Sequence, residues 1–277
     1  MSEPRTTVTV PATAGERLRW AVADSAVMAR RGLAHWWRSP EEVVGALLFP
    51  VVSVLLFGYV FGSAMSVPGG GNYREFLMPG LFGMTMVFGL TLTVAGVVAD
   101  TARGTTDRFR SMPMAPSAVV TGRSVSDMVR AAVDLAVLAG CGLLVGWRSH
   151  GGLWATLAGL GLLLLLRFAL IWVGVYIGLL LRTNEGASAL YPLVLPFAMV
   201  SNTFVAPGLM PDWLGWLAEV NPMSSTVAAI RELFGNPGFG GDTWVAGNAQ
   251  LMAVVWPVAM IAVFAPLSVH RFRNLSR

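Results

Sequence analysis

Long, nearly uncharged runs broken by short polar islands set the pattern of this chain. Phe76 to Ala99 is 24 residues without a charged side chain, and similar runs recur at Val43 to Met65, Val129 to Trp147, Leu153 to Leu181, Gly186 to about Ala206 and Ala246 to Val269. A helix crosses a bilayer core with roughly 20 apolar residues, so the pattern predicts six transmembrane helices. Pro50, Pro192, Pro196 and Pro257 fall inside these runs; membrane helices tolerate proline where neighbouring groups satisfy the freed carbonyls.

The segments between the runs have characters of their own. Residues 1–42 form an N-terminal unit. Met1 to Pro11 has no periodicity, whereas Gly15 to Arg38 places Leu18, Val22, Ala26, Ala29, Leu33 and Trp36 on one side of a helix and Arg17, Asp24, Arg31 and Arg38 elsewhere. With Trp20 and Trp37 added, this predicts an amphipathic helix lying at the membrane interface. Residues 43–277 form the six-span domain. Its island at 100–127 is polar and holds Arg108-Phe109-Arg110-Ser111-Met112-Pro113-Met114-Ala115-Pro116, a mix of cations, an aromatic and prolines suited to docking in a partner's groove. The segment 205–239 is too polar and too rich in proline to span. It carries Trp213, Leu214, Trp216 and Leu217, then Asn221-Pro222, then an amphipathic piece with Val227, Ile230, Leu233 and Phe234. That predicts short helices re-entering the outer leaflet, with Glu219, Arg231 and Glu232 at the outer boundary.

Arginine sets the orientation. With the N-terminus inside, 15 arginines fall on inner segments against three outside, Arg74, Arg148 and Arg231, the asymmetry that cytoplasmic flanks carry. Both termini and the 100–127 island are therefore expected in the cytoplasm.

Composition narrows the function. At 55% hydrophobic and 12% charged residues, the chain is too apolar for a soluble domain of its length. All 19 basic residues are arginine. Without lysine there is no P-loop, no kinase phosphate-binding lysine and no Schiff-base site, so no catalytic residue and no bound cofactor is expected. The arginines form no long basic run, and nucleic acid is not an expected partner. The lone Cys141 cannot form an intrachain disulfide, and His35, His150 and His270 lie far apart at span ends, which offers no metal site. The first 42 residues hold no apolar stretch of signal-peptide type, so no cleaved leader is expected.

Two ionisable residues remain at membrane depth. Arg167 divides the fourth span into two uncharged halves of 14 residues, and a charge at mid-bilayer costs about 2.5–3.5 kcal/mol even on a permissive insertion scale. Asp134 in the third span is the nearest acidic candidate for a direct or water-bridged pair; a snorkelling, structural Arg167 is the other reading. Gly58 and Gly62, Gly142 and Gly146, and Gly174 and Gly178 have the spacing of close helix contacts.

The layout resembles the ABC-2 type permeases of ATP-binding-cassette exporters over nearly the whole chain. Asp107 to Pro116 is similar to the loop of the daunorubicin/doxorubicin-resistance branch. Leu209-Met210-Pro211-Asp212-Trp213-Leu214, Val220-Asn221-Pro222 and Ala228-Ala229-Ile230-Arg231 are similar to that branch's Pro-x-Trp, Asn-Pro and Arg signature. Asp100 and Arg103 stand where many relatives carry paired glutamates. The resemblance implies a permease subunit that exports a hydrophobic or amphipathic, drug-like or lipid-like substrate from a bacterial cell membrane. It implies that separate ATPase subunits hold ATP and Mg, that Arg103, Arg108, Phe109, Arg110, Met112 and Pro113 couple to them, and that a second permease, identical or sister, completes the pathway among membrane lipids. Pro211, Trp213, Asn221, Pro222 and Arg231 mark the outer segment on the exit side. A polysaccharide or glycolipid exporter is the nearest alternative. An intramembrane enzyme is less favoured: Gly238-Phe239-Gly240-Gly241-Asp242 is one residue off a protease motif and lies outside the spans. A scaffold or channel subunit is the remaining reading.

Overall fold

A computed structural model of the chain describes residues 13–61, 72–102, 116–181, 183–238, 241 and 243–274. Among these residues the chain is helical and contains no strand. The helices are α1 (Ala14–Arg38), α2 (Pro40–Leu55, continued as a π turn over Leu56–Phe61), α3 (Tyr73–Ala102), α4 (Pro116–Val145), α5 (Gly152–Leu181), α6 (Asn184–Met199), α7 (Asp212–Val220), α8 (Pro222–Phe234), α9 (Trp244–Gly247) and α10 (Ala249–Arg273), with a 3-10 turn at Pro207–Leu209. Among the described residues five stretches are long and apolar enough to cross a membrane: Val43–Val60, Tyr73–Ala102, Val120–Val145, Gly152–Leu181 and Ala249–Phe272.

The predicted boundaries shift for local reasons. The third run begins 13 residues earlier than its apolarity suggests, because Pro116 opens α4 within the polar island; proline is pre-organised for a first helical turn, where its missing N–H is no loss. Residues 116–127 are therefore helix, and only 103–115 of the island lie outside the described residues. The fifth run stops at Met199, after Pro192 and Pro196. At 16 residues, α6 is about 24 Å long, shorter than each of those five stretches. In the sixth run a short α9 precedes α10, whose Asn248 N-cap restarts the helix.

The bundle is built around α3. Gly174 and Gly178 of α5 leave room for Leu90, Thr93, Val94 and Val97 of α3, so the two helices run parallel in close contact. The third predicted glycine pair thus makes a helix interface. Gly142 of α4 faces Met78, which sets α4 antiparallel to α3. On the far side of α5, Ser268 of α10 donates to the Trp172 carbonyl (3.2 Å) and Tyr176 packs on Phe264. The core joins Phe76, Phe82 and Val87 of α3 to Leu138 of α4 and Leu163 of α5, and takes in Val227, Ile230 and Phe234 of α8.

α1 begins with a reciprocal cap: Thr13 Oγ1 accepts from Glu16 N (3.2 Å) and Glu16 Oε2 accepts from Thr13 N (3.1 Å). It then packs along the first half of α4. Ser25 and Thr121 share a hydroxyl hydrogen bond (2.6 Å), Gly32 makes room for Ser126, and the Arg130 guanidinium lies over the Trp36 ring at 5.6 Å. Ala29 and Trp36 are buried, whereas Val22, Val27 and Trp37 are exposed. The helix therefore rests on protein along one edge and offers apolar groups along another.

Candidate functional site

Two polar assemblies interrupt the apolar bundle, one at each end of α3. The first lies on the face of α3 that carries Gly89, Thr93, Gly96 and Asp100. These positions follow the i, i+4, i+7, i+11 spacing of a single helical stripe. The two glycines provide the space: a Cβ at Gly89 would sit 2.7 Å from the Arg167 guanidinium carbon, and one at Gly96 would collide with the Arg123 guanidinium. Arg167 Nη2 donates to Thr93 Oγ1 (2.9 Å), and Thr93 Oγ1 donates to Asp127 Oδ2 (2.8 Å). Asp127 lies 3.9 Å from Arg123 Nε, one turn away on α4, and Arg123 forms an ion pair with Asp100 near the end of α3.

The result is a ladder, Arg167, Thr93, Asp127, Arg123, Asp100, that runs from the middle of α5 to the two helix ends flanking residues 103–115. Opposite charges alternate along it, so Arg167 is partly neutralised without a direct carboxylate contact. Burying a lone guanidinium in a low dielectric is costly unless it is paired or hydrogen-bonded. The sequence offers Asp134 as a direct or water-bridged partner of Arg167, with a snorkelling, structural Arg167 as the other reading. No hydrogen bond or ion pair joins them; the Arg167 side chain reaches α3, and Asp134 Oδ1 and Arg167 Nη1 are both buried without a partner among the described residues. Arg123, Asp127 and Thr93 were missed. Their signal was the glycine spacing on α3, legible only once two arginines were assigned to it.

The second assembly surrounds α8. Asn221 caps the helix, its Oδ1 accepting from Met223 N (2.8 Å), while its Nδ2 donates to the carbonyls of Phe197 (3.0 Å) and Val200 (2.7 Å) at the proline-weakened end of α6. Pro222 takes the first helical position. At the other end Gly235 closes the helix with φ +63°, a left-handed turn that glycine adopts without strain. Asn236 then accepts from Trp147 Nε1 (2.7 Å) and donates to the Arg148 carbonyl (2.8 Å).

Arg231, which the sequence places at the outer boundary, is 1% exposed. Its Nε donates to the Phe76 carbonyl (3.0 Å), Nη1 to that of Asn202 (2.8 Å) and Nη2 to that of Thr203 (3.1 Å), with the guanidinium 3.9 Å from the Phe76 ring centre. The planar fork reaches divergent carbonyls on α3 and beyond α6 that an ammonium could not satisfy together. Pro211 lies just before α7 and is exposed, as are Trp213 and Trp216 on it. Arg103, Arg108, Phe109, Arg110, Met112 and Pro113 lie outside the described residues.

The family model for the ABC-2 type transporter matches residues 25–234, which takes in the first assembly and the second as far as Phe234. The chain belongs to the ABC-2 type transporter family. It is 32% identical over 271 residues to the daunorubicin resistance ABC transporter permease protein DrrB1 of Streptomyces coeruleorubidus, covering 95% of this chain and 91% of that one. It is 23% identical over 245 residues to the probable doxorubicin resistance ABC transporter permease protein DrrC of Mycobacterium tuberculosis strain H37Rv, covering 85% and 87%. As an ABC-2 permease it is the membrane-spanning subunit of an exporter whose ATPase is a separate partner, and its relatives are bacterial. The permease thus places one polar assembly at the root of the segment where the resemblance expects the ATPase contact, and the other at the opposite end of α3.

Proposed function

We propose that ATPase subunits, which bind ATP and Mg, grip the segment 103–115 and that the ladder passes their movement into the bundle. The single observation that carries this is the Arg123 to Asp100 ion pair, which ties together the two helices flanking that segment and continues through Asp127 and Thr93 to Arg167. In this reading Arg103, Arg108, Phe109, Arg110, Met112 and Pro113 contact the ATPase, and the permease moves a hydrophobic or amphipathic substrate outward past 205–239. The names of the relatives favour drug-like cargo over polysaccharide. A second permease subunit forms the other wall of the pathway.

α6 serves as the sixth span in this proposal. It leaves the end of α5 near Val97, packs Tyr191 on Phe88 (5.8 Å), and its continuation brings Thr203 against Gly80. It therefore travels the depth of α3 despite its length, which supports both termini lying in the cytoplasm. α1 lies at the inner interface, and α7, with Trp213 and Trp216 exposed, dips into the outer leaflet.

The test uses the permease reconstituted in proteoliposomes with its ATPase. Phe109→Ala and Arg108→Ala should leave ATP hydrolysis running while substrate efflux per ATP falls. Wild-type efflux by both variants would overturn the assignment of this segment. Labelling of a cysteine introduced at Ser111 from the outside of intact cells would overturn the orientation.

A further inference from the structure

Asp134 lies inside the apolar stretch Val120–Val145 and takes no part in the ladder. Its Oδ1 is buried and accepts from no described residue. Arg167 has the complementary defect: Nη2 donates to Thr93 Oγ1 (2.9 Å), while Nη1 is buried without an acceptor among the described residues. A buried polar atom left unsatisfied is costly. Here a spare acceptor and a spare donor of opposite charge, both closed off from solvent, stand on the adjacent helices α4 and α5.

The packing register brings them near one another. Gly174 of α5 faces Leu90 and Thr93 of α3, and Gly178 faces Val94 and Val97. Two turns before Gly174, Arg167 therefore springs from α5 close to the level of Met84 and Thr85. α4 runs the other way, with Gly142 against Met78 and Asp127 bonded to Thr93, so the same level on α4 falls at Leu135 and Ala136, beside Asp134. The guanidinium has left that level. It lies against Gly89 and Thr93, one to two turns, roughly 5–10 Å, closer to residues 103–115. Asp134 remains within electrostatic reach of Arg130 and Arg167. Arg130 is turned to the Trp36 ring of α1 at 5.6 Å, whereas Arg167 has a donor to spare.

We propose that Asp134 is a second seat for Arg167, taken when ATP drives the bundle into its other arrangement. In this structure the guanidinium is held by Thr93 and, through it, by Asp127. Asp127 and Asp134 are seven residues apart on α4, two turns along one stripe. A shift of α4 along α5, with a turn of the Arg167 side chain, carries the guanidinium from the first carboxylate to the second without leaving it as a free charge at membrane depth. A two-state element responds to an effector only through contacts that differ between its states, and this exchange supplies one. Asp134 is thus a positioning residue for transport that bonds nothing in the state seen here. The inference rests on the ladder reading given above.

Two measurements test it: efflux per ATP by permease and ATPase in proteoliposomes, and the thermal midpoint of the nucleotide-free permease in nanodiscs. Asp134→Asn removes the charge of a carboxylate without a bond in this state, so the midpoint should stay at or above the parent's while efflux per ATP falls about fivefold or more. Asp134→Glu keeps the charge and should recover most of the efflux. Arg167→Met should lose at least as much efflux as Asp134→Asn, and adding Asp134→Asn to it should lower efflux no further. If Arg167→Met gives no folded protein, the Asn and Glu variants of Asp134 decide alone. A lower midpoint in Asp134→Asn, parent-like efflux in that variant, or losses that multiply in the double variant would each overturn the exchange. Uncoupling by Phe109→Ala together with parent-like Asp134→Asn would sink this inference and leave the 103–115 reading standing; the converse result would sink that reading alone.

Discussion

Arg167 and Arg231 are both almost fully buried, 3% and 1% exposed, yet they are held in opposite ways. Arg231 gives its donors to three main-chain carbonyls and stacks on Phe76. Those acceptors are fixed by the backbone, so the guanidinium acts as a pin across α3, the turn after α6 and α8. Arg167 has one hydroxyl partner, Thr93, and leaves Nη1 without a bond. Its counter-charges lie further along a chain of side chains that can exchange partners when helices shift. A satisfied charge rigidifies its surroundings, and a partly satisfied one sits in a shallower minimum. The end of α3 near Phe76 is thus built to hold its shape, and the end near 103–115 has the means to rearrange.

The largest expected effect breaks the pin. Arg231→Met would leave the carbonyls of Asn202 and Thr203 without this donor, at about 1–3 kcal/mol for each, and would remove the guanidinium from the Phe76 carbonyl and ring. The variant should unfold at clearly lower temperature in detergent and give little monodisperse protein on gel filtration. Arg231→Lys should fall between it and the parent. A Met variant as stable as the parent would mean that Arg231 is not a pin.

Asp127→Asn tests the other half of the comparison. It removes the central charge of the ladder but keeps an oxygen for Thr93, so stability should fall by less than in Arg231→Met while coupled efflux drops on the order of tenfold, a coupling energy of ordinary size. If thermal stability collapsed with activity, the two assemblies would not differ in kind.

Thr93→Val replaces the bridging hydroxyl with a methyl of the same shape. It should cost about 1–3 kcal/mol, because it leaves Asp127 and Arg167 each short of a partner in a buried site, and it should reduce efflux less than Asp127→Asn does. Equal or greater loss of efflux would place the hydroxyl, not the charge, at the centre of coupling.

The smallest effect is the most diagnostic. Gly96→Ala in the parent forces Arg123 away from Asp100. In an Arg123→Ala background the same change should instead stabilise by up to about 1 kcal/mol, the intrinsic helix preference of alanine over glycine. Thermal midpoints of the four proteins in this cycle report the sign, and the absence of a reversal would remove Gly96 from the ladder.

Much of this was legible in the residues themselves. The apolar runs, the helix after Asn221-Pro222 and the membrane class follow from local rules, since twenty apolar residues need a bilayer and a capped amphipathic helix needs only its own sequence. Leu153 to Leu181 coincides almost residue for residue with α5. The start of α4 at Pro116 was hidden because its first turns are polar, and polarity signals a loop only where no neighbour packs on it; α1 does so here.

Sequence alone determined that this chain lies in a membrane, roughly where its apolar helices fall, and that Arg167 cannot face lipid cheaply. Only the tertiary structure decided which partners Arg167 and Arg231 take. Arg167 turned to Thr93, which joins it to Asp127, and Arg231 turned to the carbonyls of Phe76, Asn202 and Thr203. The physical reason is that helix periodicity fixes the face of each side chain, whereas which faces meet depends on close approach, here set by Gly89, Gly96, Gly174 and Gly178. Those contacts join residues tens to more than a hundred positions apart, a distance over which no local pattern carries information.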